Sequence, residues 1–118
     1  MFNIGISRHT QLWIVCTGPA QHSDWLTVVH LAADLVKREG WRSILFDLSS
    51  IPPALSADEL ADLARYTATG LSGVRLAIVA RARPHQPSTE AAARQAGGML
   101  RYFEDHASAV KWMRSATA

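Results

Sequence analysis

Apolar and polar positions alternate in some segments of this chain and recur every three or four residues in others. Residues 2–7 alternate loosely and residues 12–17 form an apolar run, and both patterns are typical of strands. Only a short turn separates the two segments, so we expect them to pair antiparallel. Later apolar runs at residues 43–48, 74–80 and 99–103 predict three further strands.

Amphipathic segments between and after these runs predict four helices. Ser23 or Asp24 can cap the first, which stops at Gly40, a residue that readily adopts left-handed backbone. The second begins at Ser56, and Ser88 caps the third. The last follows the fifth strand and closes the chain.

The resulting order is β-β-α-β-α-β-α-β-α, with no internal repeat and no domain linker. Strands that alternate with helices form a mostly parallel sheet with helices against its faces. We therefore predict a single α/β domain over residues 1–118. It has about five strands, an antiparallel N-terminal strand at the edge of the sheet, and four helices.

Composition narrows the function classes. The chain has 118 residues, 48% of them hydrophobic and 19% charged, which is typical of a soluble globular domain. The net charge of +2 is too small to indicate a nucleic-acid-binding protein. Residues 1–64 hold four cations and seven carboxylates, and residues 65–118 hold eight and three, so the second half is basic. That asymmetry would favour an acidic partner or an anionic ligand. Solvated charges on helices and loops also explain it.

Cysteine content and the N-terminus bear on location. Cys16 is the sole cysteine, so no internal disulfide forms, and its apolar surroundings predict a buried, inert thiol. The N-terminal residues lack the basic start and apolar stretch of a signal peptide. No apolar segment approaches the length of about 20 residues that spans a bilayer. We expect a cytoplasmic protein.

Asp47, Ser49 and Ser50 lie at the end of the predicted third strand. The carboxyl ends of parallel strands are where open α/β sheets bind ligands. The side chain of Asp47 either serves such a ligand or accepts hydrogen bonds from backbone N–H groups of the loop. No histidine or second carboxylate is spaced to complete a metal site, so we expect neither a metal nor another cofactor.

Ser56 and Glu59 have the spacing of a capping box, in which each side chain accepts a hydrogen bond from the other residue's backbone N–H group. This structural role accounts for both residues. Alternatively, Ser56 is a phosphorylation site, where a phosphate would change a docking surface. The nearby carboxylates of Asp58, Glu59 and Asp62 would repel that phosphate.

Arg81, Arg83 and His85 follow the predicted fourth strand and emerge at the same end of the sheet. Two guanidinium groups near a helix N-terminus can form an anion pocket, although solvated loop charge explains them equally simply. His85 has no evident partners for a catalytic triad, and no G-x-S-x-G motif is present. We therefore expect a protein that is not an enzyme.

The element order, together with Asp47-Leu48-Ser49, resembles STAS domains, the family of bacterial anti-sigma-factor antagonists with the SpoIIAA-like fold. That family's core strand ends in a similar D-L-S sequence. The segment at residues 100–110 also looks like the family's closing strand, acidic cap and last helix. The family's D-S-S-G motif falls on Leu55-Ser56-Ala57-Asp58, and its usual phosphate acceptor falls on Ala57. The STAS-like/Sec14-like group shares this fold and often lacks the switch motif.

The resemblance implies a non-catalytic regulatory module that docks a protein partner, such as a regulator or a kinase-like protein, through residues 49–62. The alternative is a domain that binds a small anionic or lipid-like molecule. Its apolar pocket would lie under the same loop near Asp47, with Arg81 and Arg83 at its anionic side. Trp25 and Leu26 are candidates to line such a groove. We expect a monomer or a homodimer, because the first strand leaves backbone groups open at the sheet edge.

Overall fold

The computed structural model describes residues 1–52, 55–82 and 85–115. Its strands and helices are named here in chain order. They are β1 (Asn3–Arg8), β2 (Leu12–Thr17), α1 (His22–Glu39), β3 (Ser43–Asp47), α2 (Ala57–Gly70), β4 (Arg75–Val79), α3 (Gln86–Gln95), β5 (Met99–Phe103) and α4 (His106–Arg114). The predicted order of elements is confirmed.

The strands form one sheet in the order β1-β2-β3-β4-β5. β1 pairs antiparallel with β2, and the other neighbouring pairs are parallel. The predicted antiparallel edge strand is therefore confirmed. Each parallel connection contains a helix, so all the loops that leave the strands for α1, α2 and α3 lie at the carboxyl end of the sheet.

The sheet separates two apolar clusters because successive side chains of a strand point to opposite faces. One face contacts α1, α2 and α3, and the strand residues Ile14, Ile44 and Leu76 are fully buried there. The other face contacts α4, with Leu45 and Ala77 fully buried beneath it. β3 and β4 are thus covered on both sides, as expected of central strands in a parallel sheet.

The start of α1 differs from the prediction. The helix begins at His22, and its N-cap residue is Gln21 rather than Ser23 or Asp24. Asp24 acts as the third helical residue of a capping box, and its carboxylate accepts a hydrogen bond from the Gln21 N–H at 2.8 Å. The predicted stop is confirmed, since Gly40 adopts left-handed backbone at φ 77°.

The start of α3 also differs. The helix begins at Gln86, and His85 precedes it with a left-handed φ of 61°. Pro87 lies in the first turn, where proline fits a helix because no N–H group is needed there. Ser88 is therefore inside the helix, and its hydroxyl donates to the carbonyl oxygen of His85 at 3.0 Å. The prediction that Ser88 caps this helix was wrong.

The cap of α4 follows the sequence pattern. Asp105 precedes this helix and accepts a hydrogen bond from the Ser108 N–H at 2.7 Å.

No described helix combines the length and the apolar character needed to cross a membrane.

Gly98 allows α2 and β5 to approach closely. A Cβ atom added at Gly98 would lie 2.4 Å from the Cβ atom of Ala68 on α2 and 3.3 Å from the carbonyl oxygen of Ala93 on α3. A methyl group cannot fit at the first distance unless the elements move apart. The close contact therefore fixes α2 against the sheet.

We expect Gly98→Ala to lower the free energy of unfolding by about 1–3 kcal/mol, the usual cost of an extra methyl group in a packed core. Gly70→Ala is the matched control. A Cβ atom there meets its nearest neighbour, the Cγ1 atom of Val29, at 3.8 Å, which is an ordinary contact. We expect the control to be neutral or slightly stabilising. Urea unfolding measures both, and equal destabilisation by the two variants would contradict this packing.

Candidate ligand-binding site

A cavity of about 130 Å³ lies between α1, α2 and the carboxyl ends of the strands. Its lining is apolar apart from one threonine and one tyrosine. The lining residues are Ala20, Trp25, Val28, Val29, Phe46, Leu48, Ile51, Pro52, Leu55, Leu60, Leu63, Ala64, Thr67, Ile78, Ala80, Ala82, Leu100 and Tyr102. None of them carries a formal charge.

The helical walls follow from sequence spacing. Trp25, Val28 and Val29 are three to four residues apart and face the cavity from α1. Leu60 and Leu63 do the same from α2. Trp25 was predicted to line a groove beside this loop, and it does line the cavity; Leu26 is not among the lining residues.

The loop between β3 and α2 covers the cavity. Leu48, Ile51, Pro52 and Leu55 are its described lining residues. The Ile51 N–H group donates to the carbonyl oxygen of Leu48 at 3.0 Å, so this part of the loop is a hydrogen-bonded turn. The predicted docking loop therefore contributes apolar side chains to an internal surface.

Tyr102 and Thr67 are the polar side chains of the lining. The Thr67 hydroxyl donates to the Leu63 carbonyl oxygen at 2.7 Å, within its own helix. Burial, reinforced by the negative charge of Glu90, raises the pKa of Tyr102 to about 12. The phenol is protonated at neutral pH, as an ordinary tyrosine also is, and its hydroxyl is a potential hydrogen-bond donor.

Asp47 faces away from this cavity, towards α4. One carboxylate oxygen accepts hydrogen bonds from the Ser49 hydroxyl at 2.6 Å and the Ser49 N–H at 3.0 Å. The other lies 2.7 Å from the Nε2 atom of His106, the first residue of α4. The imidazole of His106 stacks on Trp13, with ring centroids 5.2 Å apart. The predicted hydrogen bond from the loop backbone to Asp47 is confirmed.

Opposing effects set the pKa of Asp47. Burial acts to raise it, but the hydrogen bonds from Ser49 and the contact with His106 outweigh burial, and the pKa lies below its ordinary value. The carboxylate is therefore ionised at neutral pH. The contact with His106 ties the end of β3 to the start of α4 on the face of the sheet that α4 covers.

Sequence reasoning did not find His106 as the partner of Asp47. The two residues are 59 positions apart, and no spacing rule relates the end of a strand to a helix that packs on the opposite face. Three or more metal-ligating side chains do not come together anywhere in the described part of the chain.

The remaining candidate residues lie outside the cavity lining. Ser56 forms the predicted capping box, because its Oγ accepts from the Glu59 N–H at 3.2 Å while the Glu59 carboxylate accepts from the Ser56 N–H at 3.0 Å. Asp58 and Ser50 are exposed. Phosphorylation of Ser56 stays a prediction.

Arg81 is exposed just after β4, between the lining residues Ala80 and Ala82. Arg81 is therefore adjacent in sequence to the cavity lining but is not a lining residue itself. Arg83, the second predicted anion-binding residue, lies outside the described residues.

Comparisons with known proteins identify the fold. No family model and no curated protein matches the chain. A solved structure that does match is the crystal structure of an uncharacterised DUF3478-family protein with a SpoIIAA-like fold, from Shewanella loihica PV-4. The two chains are 21% identical, the match covers 95% of this chain and 93% of that chain, and the TM-score is 0.57. The chain therefore has a SpoIIAA-like fold, as the sequence resemblance predicted.

We expect Asp47→Asn to lower the free energy of unfolding at pH 7 by about 1–3 kcal/mol, because the hydrogen bonds of a charged, largely buried group are weakened. Since folding lowers the pKa of Asp47, its stabilisation is complete above the unfolded-state value of about 3.9 and is lost as the pH falls through the folded-state value. Urea unfolding at pH 7 and at a pH well below the unfolded-state value measures this. A difference between the two proteins that persists unchanged at low pH would contradict the assignment.

Ser56→Ala should lower the free energy of unfolding by about 1 kcal/mol, because the Glu59 N–H group loses its acceptor at the start of α2. Ser56→Asp supplies another acceptor at the cap and should recover most of that loss. Thermal or urea unfolding of both variants provides the measurement. Equal losses in the two variants would show that the cap is not the source of the stabilisation.

Proposed function

We propose that this protein is a non-catalytic binding domain for a small apolar or lipid-like molecule, held in the cavity beneath the loop between β3 and α2. The observation that carries the proposal is the uncharged, apolar lining at the carboxyl ends of parallel strands. Ligands of open α/β sheets bind at that end. Natural binding pockets combine such a lining with a few polar groups.

The volume of the cavity limits the part of a ligand that fits inside. At about 130 Å³, it is comparable to an engineered apolar cavity of about 150 Å³ in another protein that binds benzene. A ring or a short stretch of acyl chain matches this volume. A longer molecule would extend outwards between the loops.

The polar groups suggest how such a ligand would be oriented. The protonated hydroxyl of Tyr102 can donate to a carbonyl or ether oxygen inside the cavity. Arg81 is next in sequence to the lining residues Ala80 and Ala82, and a guanidinium group suits an anionic headgroup. The proposed ligand is therefore an apolar group that carries an oxygen function or an anionic end.

The residues that replace the STAS switch motif also support the proposal of ligand binding under the loop. Leu55 occupies the position of that motif's first aspartate, and its side chain lines the cavity. Ala57 occupies the position of the usual phosphate acceptor and offers no hydroxyl. Replacement of polar switch residues by apolar ones favours an apolar site under the loop.

The surface of α2 favours a ligand over a docked protein partner. Asp58, Glu59, Asp62 and Arg65 are charged residues of this helix, so its solvent side is largely charged. The large apolar side chains described as exposed are spread over different elements: Met1, Ile6, Tyr66 and Met99. A contiguous apolar patch of several hundred Å² is the usual mark of a protein-binding surface, and these residues do not form one along α2.

Octanoate is a suitable first probe, because it has an apolar chain and an anionic end. We expect it to shift the NMR methyl signals of Val28, Leu60 and Leu63. Ala64→Leu should weaken its binding about tenfold, since a leucine side chain excludes roughly two methylene groups at about 0.8 kcal/mol each. Ala61→Leu is the matched control on the same helix, because Ala61 is not a lining residue, and it should bind octanoate as the unaltered protein does.

Two outcomes would overturn the proposal. One is the absence of methyl shifts within the cavity at saturating octanoate, with benzene as a second, uncharged probe. The other is equal weakening by the two leucine variants. Native mass spectrometry of the protein purified from its own cells then distinguishes ligand from modification. A non-covalent adduct supports the proposal, whereas a covalent phosphate on Ser56 would favour a regulatory switch.

A further inference from the structure

The two edge strands of the sheet, β1 and β5, differ in whether their outer backbone groups are covered. At the β5 edge, the Glu90 carboxylate accepts a hydrogen bond from the backbone N–H of Tyr102 at 2.8 Å. Gln86 donates to the same carboxylate oxygen at 3.1 Å and holds it there. The side chains of α3 therefore satisfy a backbone donor that would otherwise be open to another strand. Covering an edge in this way is a recognised protection against strand pairing between molecules.

The β1 edge has no such cover among the described residues. β1 pairs with β2 on one side, and no described strand lies on its other side. Its sequence, N-I-G-I-S-R, contains no lysine, proline or carboxylate to block an incoming strand. Its charged residue is Arg8, whose guanidinium forms two hydrogen bonds with Glu39 at 2.8 Å each. The guanidinium group of Arg8 is therefore held at the end of α1 and does not block strand pairing at the β1 edge.

The side chains of β1 are compatible with a second copy of the same strand. An antiparallel pair centred on Gly5 places Ile4 of one copy opposite Ile6 of the other and Asn3 opposite Ser7. Like charges do not meet in any of these pairs. Ile6 is 39% exposed, and the facing isoleucine would cover it. A Cβ atom at Gly5 would have one neighbour within 4 Å, the Val15 carbonyl oxygen at 3.9 Å, so a side chain can be introduced at this position.

We propose that the open edge of β1 is a homodimer interface, in which the β1 strands of two copies pair antiparallel and join the two five-stranded sheets into one continuous sheet. The symmetry is two-fold, so the same residues serve both copies. Backbone hydrogen bonds supply the contact, and the isoleucines bury apolar area beside it. This proposal does not depend on the cavity or on its ligand.

The first test is the mass of the full chain in solution, measured by sedimentation equilibrium over a concentration series. We expect a mass twice that of the 12.9 kDa chain, shifting towards the monomer on dilution. Ile6→Lys places a charge on the open edge and should give a monomer. Met99→Lys is the matched control on the protected edge, since Met99 is 40% exposed and Ile6 39%. It should remain a dimer, and circular dichroism confirms that both variants are folded.

A second test uses Gly5→Cys. Mild oxidation should link two copies of this variant through the introduced thiols, because the proposed pairing places position 5 of one copy opposite position 5 of the other. Cys16 should not interfere, since it is fully buried and burial raises its pKa to about 12. Met99→Cys is the control and should not crosslink.

Three results would overturn the proposal. The first is a monomeric mass for the unaltered chain at every concentration. The second is dissociation by Met99→Lys but not by Ile6→Lys. The third is equal crosslinking of the two cysteine variants.

Discussion

The burial of β3 and β4 on both faces is the constraint on which the rest of this structure depends. Because successive residues point to opposite sides, each strand contributes to two cores at once. Phe46 points towards three helices and reaches the cavity, whereas Asp47 points towards α4 and contacts His106. One step along the chain therefore separates an apolar site from a charged one. A change of register in β3 would exchange the two environments, placing a carboxylate in the cavity and a phenylalanine beside the imidazole.

The fold was predictable because each strand and helix carries its own hydrophobic period, and right-handed crossovers leave few ways to connect them. The residues at which helices begin were harder to predict. Gln21 and His85 are not favoured N-cap residues, and their roles depend on side chains and backbone conformation that a propensity scale does not include. The loop over the cavity was found from its place after a core strand. Apart from Trp25, the lining residues were not predicted, because they depend on how α1 and α2 pack against each other. The pairing of Asp47 with His106 was not predicted either.

The loop between β3 and α2 shows how one fold can support different uses. In the STAS domains that this chain resembles, the corresponding motif is polar and, in the phosphorylated members, carries the phosphate acceptor. Here Leu55 is turned inwards to line the cavity, and the hydroxyl of Ser56 is engaged in capping α2. Exchange of a few residues can thus replace a polar loop surface by an apolar cavity lining, while the backbone connection stays the same. The function of a SpoIIAA-like domain therefore has to be argued from this loop and not from the fold.

The close contact at Gly98 has a consequence for the walls of the cavity. Ala68 lies so near Gly98 that α2 cannot shift inwards, and α2 is also joined to α1 by the contact between Tyr66 and His30. Two of the walls are therefore fixed relative to the sheet. A ligand of the proposed kind would therefore meet walls that are already in place, so that little of its binding free energy would be spent on ordering α1 and α2.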